Sequence, residues 1–237
     1  MKSIRDALPA PAKARCLVVF LPGAGDGAET FKEHGFVQAL RSRGILADVV
    51  SANSVMGYYF RGTLSERLEK DVIGPAVTAG YAHVWEVGIS MGGLGTLWYA
   101  HEHPGQVTDA LLLSPFLGDE ALLKEIRAAG GVTRWQAPPR APMGKDTYQR
   151  ELWRWLQAVL AGKEPGPTLR IGYGSEDKVR EGAKVLEDAL PGDHVFHTYG
   201  PHQWETWQRL FDRFLETGEL QRQCGTLSRP LPPGPSL

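Results

Sequence analysis

The chain has 237 residues, of which 42% are hydrophobic and 22% are charged, and its formal net charge is −1. This length fits one large domain or two small ones, and the composition is that of a globular protein with its own core. The near-zero charge argues against nucleic acid or an anionic membrane as the main partner. Two cysteines, Cys16 and Cys224, are too few for a disulfide-rich scaffold or a four-cysteine metal site. No apolar run approaches the roughly 18 residues that cross a bilayer, so we expect a cytoplasmic protein without a membrane span.

Short apolar segments alternate along the chain with longer segments of helical periodicity. The predicted strands are 16–21, 45–51, 83–88, 110–114, 168–173 and 194–199. The predicted helices are 30–43, 64–79, 92–103, 179–190 and 203–216. Because the strands are continuously apolar and alternate with helices, the pattern predicts a doubly wound α/β domain with a parallel sheet covered on both faces. Cys16 begins the first of these strands, where we expect an inert core thiol.

Two regions depart from this alternation. Residues 117–166 form a long insertion that contains an amphipathic helix over 148–160. It follows the carboxyl end of a strand, where such sheets bind ligands, so it is either a small cap over a site or a helix that only covers the sheet. Residues 218–237 are rich in proline and glycine and predict a flexible tail after a single domain with its core at about 15–216.

The strongest chemical signal is the sequence Gly-Ile-Ser-Met-Gly at positions 88–92, between a predicted strand and a predicted helix. A serine at such a junction needs a tight turn, and the small residues Gly88 and Gly92 allow the backbones to approach closely. The turn places the Ser90 hydroxyl above the sheet, near the positive end of the following helix. The motif therefore predicts a nucleophilic serine.

With this turn the sequence resembles the α/β-hydrolase superfamily, over residues 15–216 or so. The resemblance implies an α/β-hydrolase fold of about six strands and the activity of a serine esterase. It also implies an oxyanion hole, formed by the N–H of Met91 and by that of Ala24 in the turn that follows the first strand, with Gly25 as the alternative donor. Many members have histidine where this chain has Pro22.

The resemblance further implies an acid and a base for Ser90. The acid belongs in the loop after the fifth strand, where Asp177 is the first choice and Glu176 a weaker one, while Asp119 holds the position that some members use one strand earlier. Asp177 also precedes a predicted helix, where an aspartate is a good cap. Of seven histidines, only His202 lies in the loop after the last strand, where the family has its base.

The expected activity is cleavage of a small-molecule carboxylic ester through an acyl-enzyme intermediate on Ser90, without a cofactor or a metal. A thioesterase or an acyltransferase would use the same residues, and a catalytically silent protein that binds a ligand in the same cleft is a further alternative. The aromatic segment 56–61, with Trp135 and Met143 opposite, either forms a wall of the substrate pocket or packs beneath a loop.

Overall fold

The computed structural model describes residues 1–227, and its strands within that range form one sheet. The strands are β1 (Ser3–Asp6), β2 (Cys16–Leu21), β3 (Ala47–Ala52), β4 (His83–Ile89), β5 (Asp109–Leu113), β6 (Thr168–Gly174) and β7 (Val195–Thr198). Their order across the sheet is β1-β3-β2-β4-β5-β6-β7. All neighbours are parallel except β1, which pairs antiparallel with β3. The predicted parallel sheet is confirmed, with one more strand than expected.

Helices connect the strands and cover the sheet. They are α1 (Thr30–Glu33), α2 (Phe36–Ser42), α3 (Met56–Phe60), α4 (Leu64–Leu68), α5 (Gly74–Ala79), α6 (Met91–Glu102), α7 (Glu120–Ala128), α8 (Tyr148–Leu160), α9 (Arg180–Glu187), α10 (Trp204–Glu216) and α11 (Glu219–Cys224). The predicted helix 30–43 is two helices, because Gly35 between them adopts φ 76°. The predicted helix 64–79 continues through a π-helical segment, Glu69–Ile73, that joins α4 to α5.

The two faces of the sheet have separate cores. On one face, Phe20 and Val87 pack with Phe211 and Phe214 of α10. The central strands are buried along their whole length, as sandwiched parallel strands must be.

The insertion 117–166 contributes to the core on the opposite face. Leu152 and Leu156 of α8 are buried together with Leu97 of α6 and Leu112 of β5. These contacts favour the interpretation of α8 as a helix that covers the sheet, while a cap over the site stays a prediction.

Two predictions that concern the C-terminal part of the chain are not met. The prediction of a free core thiol at Cys16 is wrong, because Cys16 forms a disulfide with Cys224, 208 positions away. The prediction of a flexible tail is wrong for its first part, because α11 buries Leu220 and Cys224 against the core and Thr226 forms a β-bridge with Ile45. The rest of the predicted tail, 228–237, lies outside the described residues. Among residues 1–227, no helix combines the length and apolar character that a membrane span requires.

Candidate active site

Four loops meet at one edge of the sheet because parallel strands end side by side. The end of β2 is in register with β4 at the pair Leu21 and Gly88. The end of β6 is in register with β7 at Gly174 and Thr198. The turns after β2 and β4, the acid loop after β6 and the histidine loop after β7 therefore share the carboxyl edge, where ligands bind in folds of this kind.

The turn between β4 and α6 holds Ser90 in a strained conformation, with φ 53° and ψ −114°. Only the missing Cβ atoms of its neighbours make this turn possible. A Cβ on Gly88 would lie 2.5 Å from the carbonyl oxygen of Gly92, and a Cβ on Gly92 would lie 2.0 Å from that of Leu21. The Ser90 N–H also donates to the Leu113 carbonyl at 3.0 Å, which anchors the turn to β5.

Ser90, His202 and Asp177 form a continuous hydrogen-bonded chain. The Nε2 atom of His202 lies 3.0 Å from Ser90 Oγ, and its Nδ1 lies 2.9 Å from both carboxylate oxygens of Asp177. Because an ionised carboxylate only accepts, the ring proton belongs on Nδ1, which leaves Nε2 free to accept from the Ser90 hydroxyl. The structure thus brings the three predicted residues together in the order that proton transfer needs.

Asp177 is only 1% exposed, yet its surroundings favour the charged form. Burial by itself raises the pKa of this carboxyl, but hydrogen bonds from His202 and the Val179 N–H, together with the nearby Ser114 hydroxyl, outweigh burial and hold the pKa below its ordinary value. The Val179 N–H donates to Oδ1 at 2.8 Å, whereas the contact with the Ser114 hydroxyl lies outside ordinary hydrogen-bond geometry. An ionised Asp177 is therefore available to orient His202.

The loop that carries His202 is fitted closely against the end of β6. Gly200 has φ 142°, and its carbonyl oxygen would be 2.1 Å from a Cβ on Gly174. The indole of Trp207 in α10 packs edge-on against the His202 ring, with the ring centroids 4.9 Å apart. The His202 ring is thus held by packing against Trp207 as well as by its hydrogen bonds.

The amides predicted for the oxyanion hole lie in the two neighbouring loops. Ala24 lies in the turn after β2 and lines the cavity at Ser90, and Met91 is the first residue of α6. Neither N–H donates a hydrogen bond to another group within residues 1–227. The assignment of these two amides to an oxyanion hole stays a prediction.

The alternative acids have other partners. Asp119 is the N-cap of α7, where its Oδ1 accepts the Leu122 N–H at 2.9 Å. Glu176 is exposed and accepts the Tyr199 hydroxyl at 3.1 Å. Of the three carboxylates, Asp177 alone is hydrogen-bonded to His202 within the described residues.

The other histidines are distributed over the molecule. Nε2 of His101 is 3.1 Å from Glu151 in the core, and Nε2 of His197 is 2.9 Å from Glu187. Nowhere in the described part of the chain do three or more His, Cys, Asp or Glu side chains form a group suited to a metal ion.

A cavity of about 500 Å³ opens beside Ser90. Its lining residues are Gly23, Ala24, Asp26, His34, Ser90, His202, Gln203, Trp204, Glu205 and Trp207. The segment 56–61, Trp135 and Met143 do not belong to this lining. Tyr59 instead packs beneath α6, where its hydroxyl donates to the Met91 carbonyl at 2.9 Å, so the structure favours the packing interpretation of that aromatic segment.

Sequence reasoning did not find three residues of this site. His34 stacks on Trp204 in the cavity wall, with centroids 4.3 Å apart and planes within 3°, but it looks like any polar residue at a helix end. Trp207 packs against His202 from α10, and Ser114, which follows β5, favours the ionised form of Asp177. The one signal for Trp207 in the sequence was its position, because it follows His202 closely and lies near the start of α10.

Comparison with known proteins identifies the family. A family model described as "Putative esterase" matches residues 75–217, more than half of the chain. The chain belongs to this esterase family. The matched segment runs from α5 to the end of α10 and includes Ser90, Asp177 and His202. This esterase is a hydrolase that acts on ester bonds. No curated protein matches it significantly in sequence.

Solved structures show the fold of the esterase. S-formylglutathione hydrolase (FrmB) from Staphylococcus aureus is 15% identical, with a TM-score of 0.58 over 86% of this chain and 81% of that one. The fluorophosphonate-binding serine hydrolase FphF of Staphylococcus aureus is also 15% identical, with a TM-score of 0.58 over 91% and 97%. Est1E from Butyrivibrio proteoclasticus is 17% identical, with a TM-score of 0.55 over 91% and 93%. The esterase therefore has the α/β-hydrolase fold that its sequence resembles.

Proposed function

We propose that the esterase cleaves small-molecule carboxylic esters with Ser90 as nucleophile, His202 as base and Asp177 as the orienting acid. The observation that carries this proposal is the hydrogen-bonded chain from Ser90 Oγ through both ring nitrogens of His202 to the Asp177 carboxylate. The strained turn at Ser90 and the cavity beside it support the same assignment.

The reaction has two stages. In the first, His202 Nε2 takes the proton of Ser90 as Oγ attacks the ester carbonyl, and it then gives that proton to the departing alcohol. In the second, Nε2 takes a proton from water, which attacks the acyl group on Ser90, and returns it to Oγ as the acid leaves. Asp177 stays ionised throughout and stabilises the imidazolium that forms twice in each cycle.

Two amides would stabilise the oxyanion of each tetrahedral intermediate. The N–H groups of Ala24 and Met91 are the donors in this proposal, with Gly25 as the alternative to Ala24. A fixed donor of this kind contributes about 3–4 kcal/mol to the transition state in serine hydrolases. The Met91 N–H also lies at the positive end of α6, where negative charge is favoured.

A substitution of the nucleophile tests the proposal most directly. Ser90→Ala should abolish hydrolysis of a short-chain p-nitrophenyl ester, while circular dichroism and the thermal unfolding midpoint show that the fold is intact. Ser42→Ala is the control, because Ser42 is an exposed residue of α2 on a different part of the molecule. Wild-type turnover by the Ser90→Ala variant would refute the assignment.

Labelling by a fluorophosphonate probe separates an active esterase from a silent ligand-binding protein. We expect one adduct, located on Ser90 by mass spectrometry, and no adduct in the Ser90→Ala variant. An adduct on another serine would move the nucleophile elsewhere. With a carboxylic ester and the matching thioester, the ratio of kcat/KM then distinguishes the esterase from a thioesterase.

A further inference from the structure

Two of the residues that line the cavity beside Ser90 carry carboxylates. Asp26 lies in the loop after β2, and Glu205 lies in the first turn of α10. No lysine or arginine lines the cavity. Neither carboxylate forms an ion pair with a lysine or arginine within the described residues. The two negative charges therefore act on whatever enters the cavity.

The rest of the wall is aromatic. The planes of Trp204 and Trp207 are 78° apart, with centroids 5.3 Å from each other, and the His34 ring stacks on Trp204. Trp204 is also packed edge-on against Phe31 and Phe36, which tie this wall to the core. Flat aromatic surface beside carboxylates suits an organic group that is bulky and positively charged, whereas it suits neither a phosphate nor a sulfonate.

The proposed mechanism determines which part of the substrate meets this wall. His202 Nε2 must protonate the departing oxygen, so the alcohol part of the ester lies on the His202 side of Ser90. Gln203, Trp204 and Glu205 follow His202 directly and line the same cavity. The alcohol part is thus the part nearest to Glu205 and the aromatic wall.

We infer that the esterase is selective for esters whose alcohol part carries a positive charge and discriminates against anionic alcohols. This inference rests on the proposed function and adds to it the class of substrate. The carboxylates act electrostatically across a solvated cavity, so each contributes modestly and the preference weakens as salt screens the charges. Together they should give a cationic ester about a 3- to 10-fold advantage over a neutral ester of the same shape.

The test uses three acetate esters that differ in charge. Acetylcholine is the cation, 3,3-dimethylbutyl acetate is its uncharged isostere, and 3-acetoxypropane-1-sulfonate is the anion. Hydrolysis is followed as acid release in a pH-stat at low and high salt. We expect kcat/KM to fall in the order cation, neutral, anion at low salt, and the three values to converge at high salt.

Variants connect the preference to the two carboxylates. Glu205→Gln and Asp26→Asn should each reduce the ratio of kcat/KM for the cation to that for the neutral ester, and the double variant should bring it close to one. Glu102→Gln, an exposed substitution at the end of α6, is the control and should keep the wild-type ratio. Because the readout is a ratio, a general loss of activity in a variant does not imitate the effect.

Two results would overturn the inference in different ways. If wild type hydrolyses the neutral ester but the cation has no advantage, the charge selectivity is wrong and the proposed function stands. If wild type hydrolyses none of the three esters and Ser90 is not labelled by a fluorophosphonate, the proposed function fails and the inference fails with it.

Discussion

His202 and Ser90 are 112 positions apart in the chain, and yet Nε2 of the histidine lies 3.0 Å from Oγ of the serine. Asp177 completes the arrangement at 2.9 Å from the other ring nitrogen, and its carboxylate has almost no contact with solvent. Loops that follow three different strands therefore meet at one point, and the proposed role of each can be tested by a substitution that leaves the others in place.

The identity of the acid is tested by a pair of substitutions. Asp177→Asn keeps the shape of the side chain but removes the charge that holds the Nδ1 proton, so kcat should fall by about 10³- to 10⁴-fold. Asp119→Asn should leave kcat at the wild-type value, and it should leave stability unchanged because asparagine caps a helix as well as aspartate does. Steady-state kinetics on one chromogenic ester measures both. A large loss in the Asp119 variant alone would transfer the role of acid to Asp119.

A single methyl group added at Gly92 should disrupt the turn that holds Ser90. A Cβ there would lie 2.0 Å from the Leu21 carbonyl oxygen, which is backbone and has little room to move. We expect Gly92→Ala to lower the free energy of unfolding by about 3 kcal/mol or more and to abolish activity. Gly192→Ala is the matched control, since nothing lies within 4 Å of its Cβ position. Urea unfolding measures the stability of both variants. Equal stabilities would contradict the close approach of Gly92 to the Leu21 carbonyl.

Glu86 makes stability depend on pH. This residue is fully buried in the middle of β4, and neither carboxylate oxygen has a hydrogen-bond partner within the described residues. Burial raises the pKa of Glu86 well above its ordinary value, so the folded state holds a proton that the unfolded chain releases above about pH 4.5. The stability that protonated Glu86 contributes is therefore fully present below that pH and is lost as the pH rises through the folded-state pKa.

Glu86→Gln should remove this dependence. Glutamine has the shape of the protonated acid and needs no proton, so the variant should be more stable than wild type at pH 8 by more than about 1 kcal/mol, and the two should converge near pH 4. Unfolding midpoints measured across that range give the comparison, with Glu102→Gln as an exposed control. Parallel curves for wild type and Glu86→Gln would mean that Glu86 is ionised in the folded protein.

The disulfide should matter for stability and not for the reaction. Cys16 is the first residue of β2, at the end of the strand opposite the active site, and both cysteines are fully buried. Replacing both by alanine should lower the free energy of unfolding by about 2–5 kcal/mol, with kcat unchanged. A loss of kcat at a temperature where the double variant is folded would contradict this separation.

The same bond bears on where the protein works. Disulfides persist mainly in oxidising compartments, whereas the sequence predicts a cytoplasmic location. Mass spectrometry of the protein isolated under thiol-blocking conditions measures the fraction that is bonded in cells. A fully reduced protein would agree with the cytoplasmic prediction, and a fully bonded one would favour an exported protein.

Several features of this esterase follow from the sequence because they depend on neighbouring residues. The strand at Cys16–Leu21 and the helix at Tyr148–Leu160 have the predicted bounds, since each is a local pattern of apolar residues. The turn at Ser90 is equally local, because Gly88 and Gly92 remove the Cβ atoms that would block it. The assignment of Ser90, Asp177 and His202 came from resemblance to a family. Their order in the chain did not give the distances between the three side chains.

Tertiary structure decided what depends on distant partners. The edge strand Ser3–Asp6 has no apolar run, and it forms because β3 offers an unpaired edge. The disulfide needed the chain end to fold back beside β2, which no spacing of two cysteines predicts. Asp119 and Asp177 are both plausible acids in the sequence, and only the register of β6 beside β7 carries the loop of Asp177 to His202. The carboxylates of Asp26 and Glu205 are far apart in the chain and yet line one cavity. The physical reason is the same: parallel strands bring the loops at their ends together, whatever the distance along the sequence.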